Sequence, residues 1–218
     1  MNRLTKFVVV DDHPLFRQGL VSVIENNADF RVVGEATGIS DAINLVNDTE
    51  PDIILVDISL HEENGLELVK TLKSIHPDVK ALVVSMYDEI IYAASALKAG
   101  ARGYVMKQEA ASTLMEAIEV VLKGKIYLSH DMRERLLDSM VFQDSKQEMN
   151  PVEQLSVREM EVLRLLGHGY GVSEIAETLN LSSKTINVYR DNIKHKLSIP
   201  DARELRKFAI KWVRINEG

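Results

Sequence analysis

The sequence predicts an α/β module built on a parallel sheet, followed by a smaller all-α module. Three observations carry this expectation. Through residue 122, short apolar runs alternate with segments of helical period. From Leu155 onward the pattern is wholly helical, and between the two, residues 129–152 lose both rhythms. With 218 residues, 45% hydrophobic and 27% charged, the chain is long enough to enclose two modest cores.

The apolar runs are Phe7–Val10, Phe30–Val33, Ile53–Val56, Ala81–Val84 and Gly103–Met106, and they read as buried strands. Between them the apolar positions shift to helical spacing, as in Phe16, Leu20, Val23, Ile24 and in Leu114, Ile118, Val121, Leu122. Asn64 with Glu67 has the spacing of a capping box, and Gly100 and Gly124 each follow a lysine-bearing turn and suit a left-handed C-cap. Strand and helix thus alternate through five βα units. Right-handed crossovers then cover both faces of the sheet, and ligands of such sheets bind at the carboxyl ends of the strands.

Those ends carry the informative residues: Asp11 and Asp12 after the first strand, Asp57 after the third, Ser85 on the fourth and Lys107 after the fifth. Clustered carboxylates oppose one another's ionisation, and a hard divalent cation such as Mg²⁺ relieves that repulsion. A carboxylate beside such an ion can attack phosphorus, while the ion and Lys107 neutralise charge on a transferring phosphoryl group and Ser85 donates a hydrogen bond to it. The absence of cysteine excludes disulfides, thiolate zinc sites and cysteine nucleophiles, which leaves hard-cation chemistry.

In the connector, Leu136, Leu137 and Met140 predict a short amphipathic helix. A polar stretch ending in Asn150-Pro151 predicts a flexible tether. The second module opens with Ser156 and Glu159 in capping-box spacing, and its first helix closes at Gly169. A second helix, "VSEIAETL", a tight turn at Asn180–Ser182, and a third helix, "SKTINVYRDNIKHKL", follow. Ala176 permits close crossing, Asn180 tolerates a left-handed backbone and Ile186 anchors the next helix, which is the spacing of a helix-turn-helix. The third helix bears Lys184, Arg190, Lys194 and Lys196 with Asp191 as its one acid, and presents Thr185, Asn187 and Val188. Such cations suit DNA phosphates, asparagine pairs with adenine, and valine meets a thymine methyl. In the fourth helix Leu205, Phe208, Ala209 and Trp212 share one face, which serves either the module's own core or two-fold pairing.

Charge divides along the same lines. Residues 1–128 carry 12 Lys and Arg against 19 Asp and Glu, net −7; residues 129–150 carry 3 against 5, net −2; residues 151–218 carry 11 against 9, net +2. Two modules with different partners are implied. No run approaches the roughly 20 apolar residues that span a bilayer, and "MNRLTKF" lacks an apolar signal region, so a cytoplasmic protein without a membrane partner is expected.

The stretches "VVVDDH", "DIILVDISLHEENG", "LVVS" and "GYVMK" resemble the receiver domain of two-component response regulators. The resemblance implies a flavodoxin-like fold with strand order 2-1-3-4-5 and Asp57 as the phosphoacceptor. It also implies Mg²⁺ held by Asp11, Asp12, Asp57 and the backbone carbonyl of Ser59, a switch of Ser85, Tyr104 and Lys107, and a histidine kinase as donor. His61 stands where such domains usually have proline. Met86 stands where a small residue is usual, which predicts restricted access to Asp57 and slow decay of its phosphoryl group.

The fragment "LSVREMEVLRLLGHGYGVSEIAETLNLSSKTINVYRDNIKHKLSI" resembles the LuxR-type output domain of the NarL/FixJ subgroup. This implies that the third helix is the recognition helix and that the fourth contributes to dimerisation, here through Leu205, Phe208 and Trp212. Asn187 and Tyr189 replace the usual lysine and histidine, so family base preferences do not transfer; Lys184, Thr185, Asn187, Val188, Arg190 and Lys194 are the expected DNA contacts.

The expected organisation is a receiver over 1–124, a linker over 125–152 and a LuxR-type helix-turn-helix domain over 153–218. The expected function is a phosphorylation-controlled, homodimeric transcription regulator rather than an enzyme. The alternatives are a Mg²⁺-dependent phosphohydrolase with an aspartyl intermediate, which turnover would reveal, and a protein-interaction module, whose binding would lack the steep salt dependence of phosphate contacts.

Overall fold

Runs of branched apolar residues become parallel strands, and helices cover them. The computed structural model describes residues 3–60, 63–142, 152 and 155–216, and the chain divides into two units, 1–143 and 144–218. The first runs β1 (Thr5–Val10), α1 (Pro14–Glu25), β2 (Phe30–Ala36), α2 (Ile39–Thr49), β3 (Ile53–Val56), the short β4 (Ser59–Leu60) and β5 (Glu63–Asn64), then α3 (Gly65–Ile75), β6 (Lys80–Ser85), α4 (Glu89–Ala99), β7 (Gly103–Met106), α5 (Ala111–Leu122) and α6 (His130–Phe142). The sheet order is β2-β1-β3-β6-β7, every pairing parallel. This is the expected 2-1-3-4-5 order once the two-residue ribbon β4-β5 is set aside.

All four residues of β3 are buried, as a central strand covered on both faces requires. One layer of the core joins Phe7, Val9, Leu20, Ile24, Ile53, Leu55, Leu82, Ile118 and Val121. Each such side chain contributes roughly 1.5–3 kcal/mol on burial. Val10 lies opposite Val56, so Asp11 and Asp57 leave the sheet side by side; the Asp57 N–H donates to Val10 O at 2.9 Å. Ser85 lies opposite Met106, and the Lys107 N–H donates to Ser85 O at 2.8 Å. The register therefore gathers the polar strand ends at one edge.

The helix punctuation is largely as expected. Gly100 (φ 124°) and Gly124 (φ 76°) both take positive φ. The Asn64 side chain accepts from the Leu66 N–H, a simple N-cap rather than the reciprocal box with Glu67. Residues 125–142, expected in the linker, pack with the first unit. Tyr127 bridges to Gly103 beside β7, and Leu128 and Met132 are buried. The expected connector helix is present as α6, with Leu136 half-buried and Leu137 exposed. The Met140 side chain, the tether over 143–151 and His61 lie outside the described residues.

The second unit is α7 (Val157–Gly167), α8 (Val172–Thr178), α9 (Ser183–Lys196) and α10 (Ala202–Asn216). Ser156 and Glu159 form the capping box at both bonds. Asn180 has φ 53°, Ala176 is buried with its carbonyl accepting from the Leu181 N–H at 2.8 Å, and Ile186 is fully buried. The turn between α8 and α9 thus follows the expected helix-turn-helix chemistry. Among the described residues, no helix is long and apolar enough to cross a membrane.

Candidate functional site

The carboxyl edge of the sheet forms a buried, charged pocket. Lys107 Nζ lies 2.7 Å from Asp57 Oδ2 and 2.7 Å from Asp11 Oδ2, and the three side chains are 1–3% exposed. The contact to Asp57 is a hydrogen bond. At Asp11, Oδ2 makes no hydrogen bond despite its closeness to the ammonium. The Phe16 ring supports the ammonium from 4.5 Å. Asp11 is itself fixed by its Oδ1, which accepts from the His13 N–H at 2.8 Å.

Burial is the main cause that holds the Asp57 carboxyl above its ordinary range; the hydrogen bond and charge of Lys107 oppose it, and the Asp11 charge adds to it. Backbone approach is tight here. A Cβ on Gly65 would lie 1.9 Å from the Asp57 carbonyl oxygen, so only glycine fits at the start of α3. The Ser59 N–H points to Asp57 Oδ1 at 3.3 Å.

Carboxylate oxygens of Asp11, Asp12 and Asp57, with one ring nitrogen of His13, lie within 4.8 Å of one another. Three carboxylates and one ammonium leave two negative charges, which one divalent cation cancels. The donors are mainly hard oxygens, so the residues fit Mg²⁺. His13 was not anticipated: its Nδ1 is 2.8 Å from Asp12 Oδ1, 3.4 Å from Asp11 Oδ1 and 4.0 Å from Asp57 Oδ2. Its position directly after the two aspartates, at the N-cap of α1, is the sequence signal that places it here.

Ser85 and Tyr104 are both buried. The Tyr104 hydroxyl donates to Tyr87 O at 2.9 Å, and the Tyr87 N–H reaches Ser85 Oγ at 3.4 Å. Burial pushes the Tyr104 phenol far up, against a weaker opposing hydrogen bond with Ser85, so it stays a proton donor at all physiological pH. Met86, beside Ser85, is 59% exposed.

On α9, Ser182 caps the helix by accepting from the Thr185 N–H at 3.0 Å, and its hydroxyl also meets that of Thr185. Lys184, Asn187 and Val188 are exposed on one face, which Asn192 and His195, not anticipated, continue at helical spacing. Arg190 donates to Asn187 Oδ1 at 2.8 Å, and Lys194 pairs with Asp191 at 2.9 Å. Lys196, counted above with the basic face, instead reaches back 2.6 Å to the buried Glu159 and closes the module. On α10, Leu205 and Ala209 are buried and face α7, where a Cβ on Gly167 would meet Ala209 O at 2.6 Å. Leu205 therefore belongs to its own module's core and offers no surface for pairing, because α7 already covers it. Phe208 and Trp212 are half-buried.

A parallel sheet with an acidic, lysine-bridged pocket at its carboxyl edge, followed by a helix-turn-helix unit, defines a two-part regulator with a receiver and an output domain. Comparison with known proteins agrees. Residues 7–119 match the family described as "Response regulator receiver domain", and residues 153–209 match "Bacterial regulatory proteins, luxR family". The transcriptional regulatory protein DegU of Brevibacillus brevis is 33% identical over 225 residues, covering 96% of this chain and 95% of the relative. RcsB of Salmonella enterica serovar Typhimurium, solved on promoter P1flhDC with the phosphomimetic BeF3⁻, is 28% identical, covers 94% of this chain and 97% of that one, and has a TM-score of 0.57. A structure of two RcsB dimers bound to two parallel DNAs is 28% identical, covers 95% and 98%, and also has a TM-score of 0.57. The chain belongs to the NarL/FixJ-type two-component response regulators, with a receiver domain and a DNA-binding LuxR-type domain.

Proposed function

We propose that Asp57 accepts a phosphoryl group from a phosphohistidine of a kinase and that this changes DNA binding by the second unit. The observation that carries the reading is the Lys107 ammonium bridging Asp57 and Asp11 at 2.7 Å each, inside a pocket that gathers three aspartates. An Asp57 oxygen attacks phosphorus, the P–N bond breaks, and the departing imidazole nitrogen keeps the electron pair. The product is an acylphosphate on Asp57. Held by Asp11, Asp12, Asp57 and the Ser59 carbonyl, Mg²⁺ would neutralise charge on the transferring group. Lys107 supplies the second positive charge, and the Ser85 hydroxyl turns to donate to the phosphoryl oxygens.

The exposed Asn187, Val188 and Lys184 of α9 suit the major groove, the first two for base edges and Lys184 for phosphates, with half-buried Lys194 at a further phosphate and Thr185 and Arg190 buttressing the face. The dimers recorded for RcsB on DNA support a homodimer as the active form, and on α10 Phe208 and Trp212 are the residues left to serve it. A cytoplasmic location accords with this role. The test is DNA affinity with and without acetyl phosphate and Mg²⁺, for wild type and Asp57→Ala. Phosphorylation changes wild-type affinity and leaves the variant unmoved; equal responses would overturn the reading.

One observation favours the phosphohydrolase alternative: His13 stands 4.0 Å from Asp57 Oδ2, where an imidazole could direct water at an acylphosphate. Steady-state assay with acetyl phosphate discriminates. A regulator releases phosphate no faster than its acylphosphate decays, whereas an enzyme turns over many equivalents on an external substrate.

A further inference from the structure

Within residues 125–132, Tyr127 pairs with the edge strand β7, on the backbone of the switch tyrosine itself, and the start of α6 packs on α4. The Tyr104 N–H donates to Tyr127 O at 3.2 Å, and the Tyr127 N–H donates to Arg102 O at 2.9 Å, as a further parallel strand would. Gly103 permits this approach: a Cβ there would lie 3.0 Å from Tyr127 O and 2.9 Å from Leu82 Cδ1. Leu128 and Met132, each 4% exposed, anchor the segment, and Ser129 Oγ caps α6 by accepting from the Met132 N–H.

The polar tie is Glu89. It sits in the first turn of α4, is 5% exposed, and its Oε1 accepts the Ser129 N–H at 2.9 Å. A buried carboxylate whose bond is made to a residue 40 positions along the chain is costly to leave unpaired, so it commits the segment to one position. Glu89 is also joined to the phosphorylation pocket. Only residues 86–88 separate it from Ser85, and within that loop Tyr87 is held at its N–H by Ser85 and at its carbonyl by Tyr104.

We propose that Glu89 is a positioning residue that clamps residues 125–132 against β7, and that a phosphoryl group on Asp57 loosens this clamp through Ser85 and the 86–88 loop. The proposal rests on the reading of Asp57 as phosphoacceptor. When Ser85 turns to the phosphoryl oxygens it releases the Tyr87 N–H; the loop follows Ser85 and draws Glu89 from Ser129. The entry to the linker then detaches from the receiver, which gives the pocket a mechanical route toward the second unit that needs no contact between the two folded units.

The experiment is hydrogen exchange by mass spectrometry on the full chain, reading peptides within 125–133, with and without acetyl phosphate and Mg²⁺, alongside a mass measurement of the label on Asp57. Wild-type exchange in this segment rises on the order of tenfold or more with phosphorylation, the scale set by loss of one hydrogen bond to a charged group. Glu89→Ala, which removes the acceptor, exchanges fast without phosphorylation, still takes the label, and responds little further. Ser129→Pro deletes the donor from the other side and behaves alike, so the test does not depend on one variant folding. Labelled Asp57 with unchanged exchange over 125–133 overturns the clamp alone; failure of Asp57 to take any label overturns the phosphoacceptor reading and the clamp with it.

Discussion

Replacing Lys107 by methionine removes the buried ammonium that bridges Asp11 and Asp57 and nearly conserves its volume. Each contact of 2.7 Å carries about 6 kcal/mol of gross attraction at an effective dielectric of about 20. Desolvation of the ammonium cancels much of this, but deletion leaves Asp11 and Asp57 buried without the charge that bridges them. Breaking such a pair costs about 3–5 kcal/mol. The two largest influences that oppose the raised Asp57 pKa come from Lys107, leaving in Lys107→Met only the Ser59 N–H against burial and the Asp11 charge, which push it higher still. A pocket stripped of its bridging ammonium attracts Mg²⁺ more strongly, and millimolar Mg²⁺ restores part of the loss by binding only the folded state. Urea unfolding of the full chain at pH 7 tests this, with far-UV circular dichroism reporting both units and the fluorescence of Trp212, the single tryptophan, reporting the second. The circular-dichroism midpoint of the first unit falls, Mg²⁺ raises it more than in wild type, and the fluorescence midpoint stays put. A first unit within about 0.5 kcal/mol of wild type without Mg²⁺, below the usual effect of a buried charge left alone, would refute the reasoning.

Five further outcomes are expected. Because the folded pKa of Asp57 is raised, its contribution to stability is fully present below the unfolded value of 3.8 and is lost as pH rises through the folded value; wild type therefore loses stability relative to Asp57→Asn as urea titrations move from pH 3.5 to pH 7. Gly65→Ala, whose Cβ would meet the Asp57 carbonyl, lowers stability by more than about 2 kcal/mol and slows labelling of Asp57 by acetyl phosphate, whereas a normal melting midpoint would contradict the tight approach. In operator titrations over a range of salt, Lys184→Ala reduces the slope of log affinity against log salt by about 0.9 for a phosphate contact. Asn187→Ala leaves that slope and costs about 1–3 kcal/mol of discrimination at one base pair. Met86→Ala shortens the acylphosphate half-life, measured by decay of the mass label; an unchanged half-life would contradict shielding of Asp57 by this side chain.

Much of the fold was legible because the cues are local. Four consecutive branched apolar residues at Ile53–Val56 have no polar side to expose, so a strand buried on both faces follows from the run itself. Asn180 and Gly100 announce positive φ because few other residues adopt it cheaply. The acidic pocket was legible for a related reason: parallel strands deliver their carboxyl ends to one edge whatever their spacing in sequence. His13, by contrast, reads from the chain as a residue before proline and joins the pocket only through the turn that brings Nδ1 to Asp12. The Lys196 ammonium reads as part of a basic face, and only the packing of α9 on α7 brings it to Glu159, 37 positions away.

From the residues alone came the two modules, the alternation of strand and helix, the convergence of Asp11, Asp12, Asp57, Ser85 and Lys107, and the helix-turn-helix with its exposed face, since each depends on period, capping or chain-end chemistry within a few residues, whereas the strand order followed from the family resemblance. Tertiary structure alone decided what covers what: that Leu205 turns inward against α7, that Gly65 must yield space to the Asp57 carbonyl, and that residues 125–132 leave the linker for the edge of β7. Periodicity says which face of an element is apolar. The identity of the surface that buries it is set by contacts between distant segments, and a buried hydrogen bond such as that from Ser129 to Glu89 exists only once both ends have been brought together.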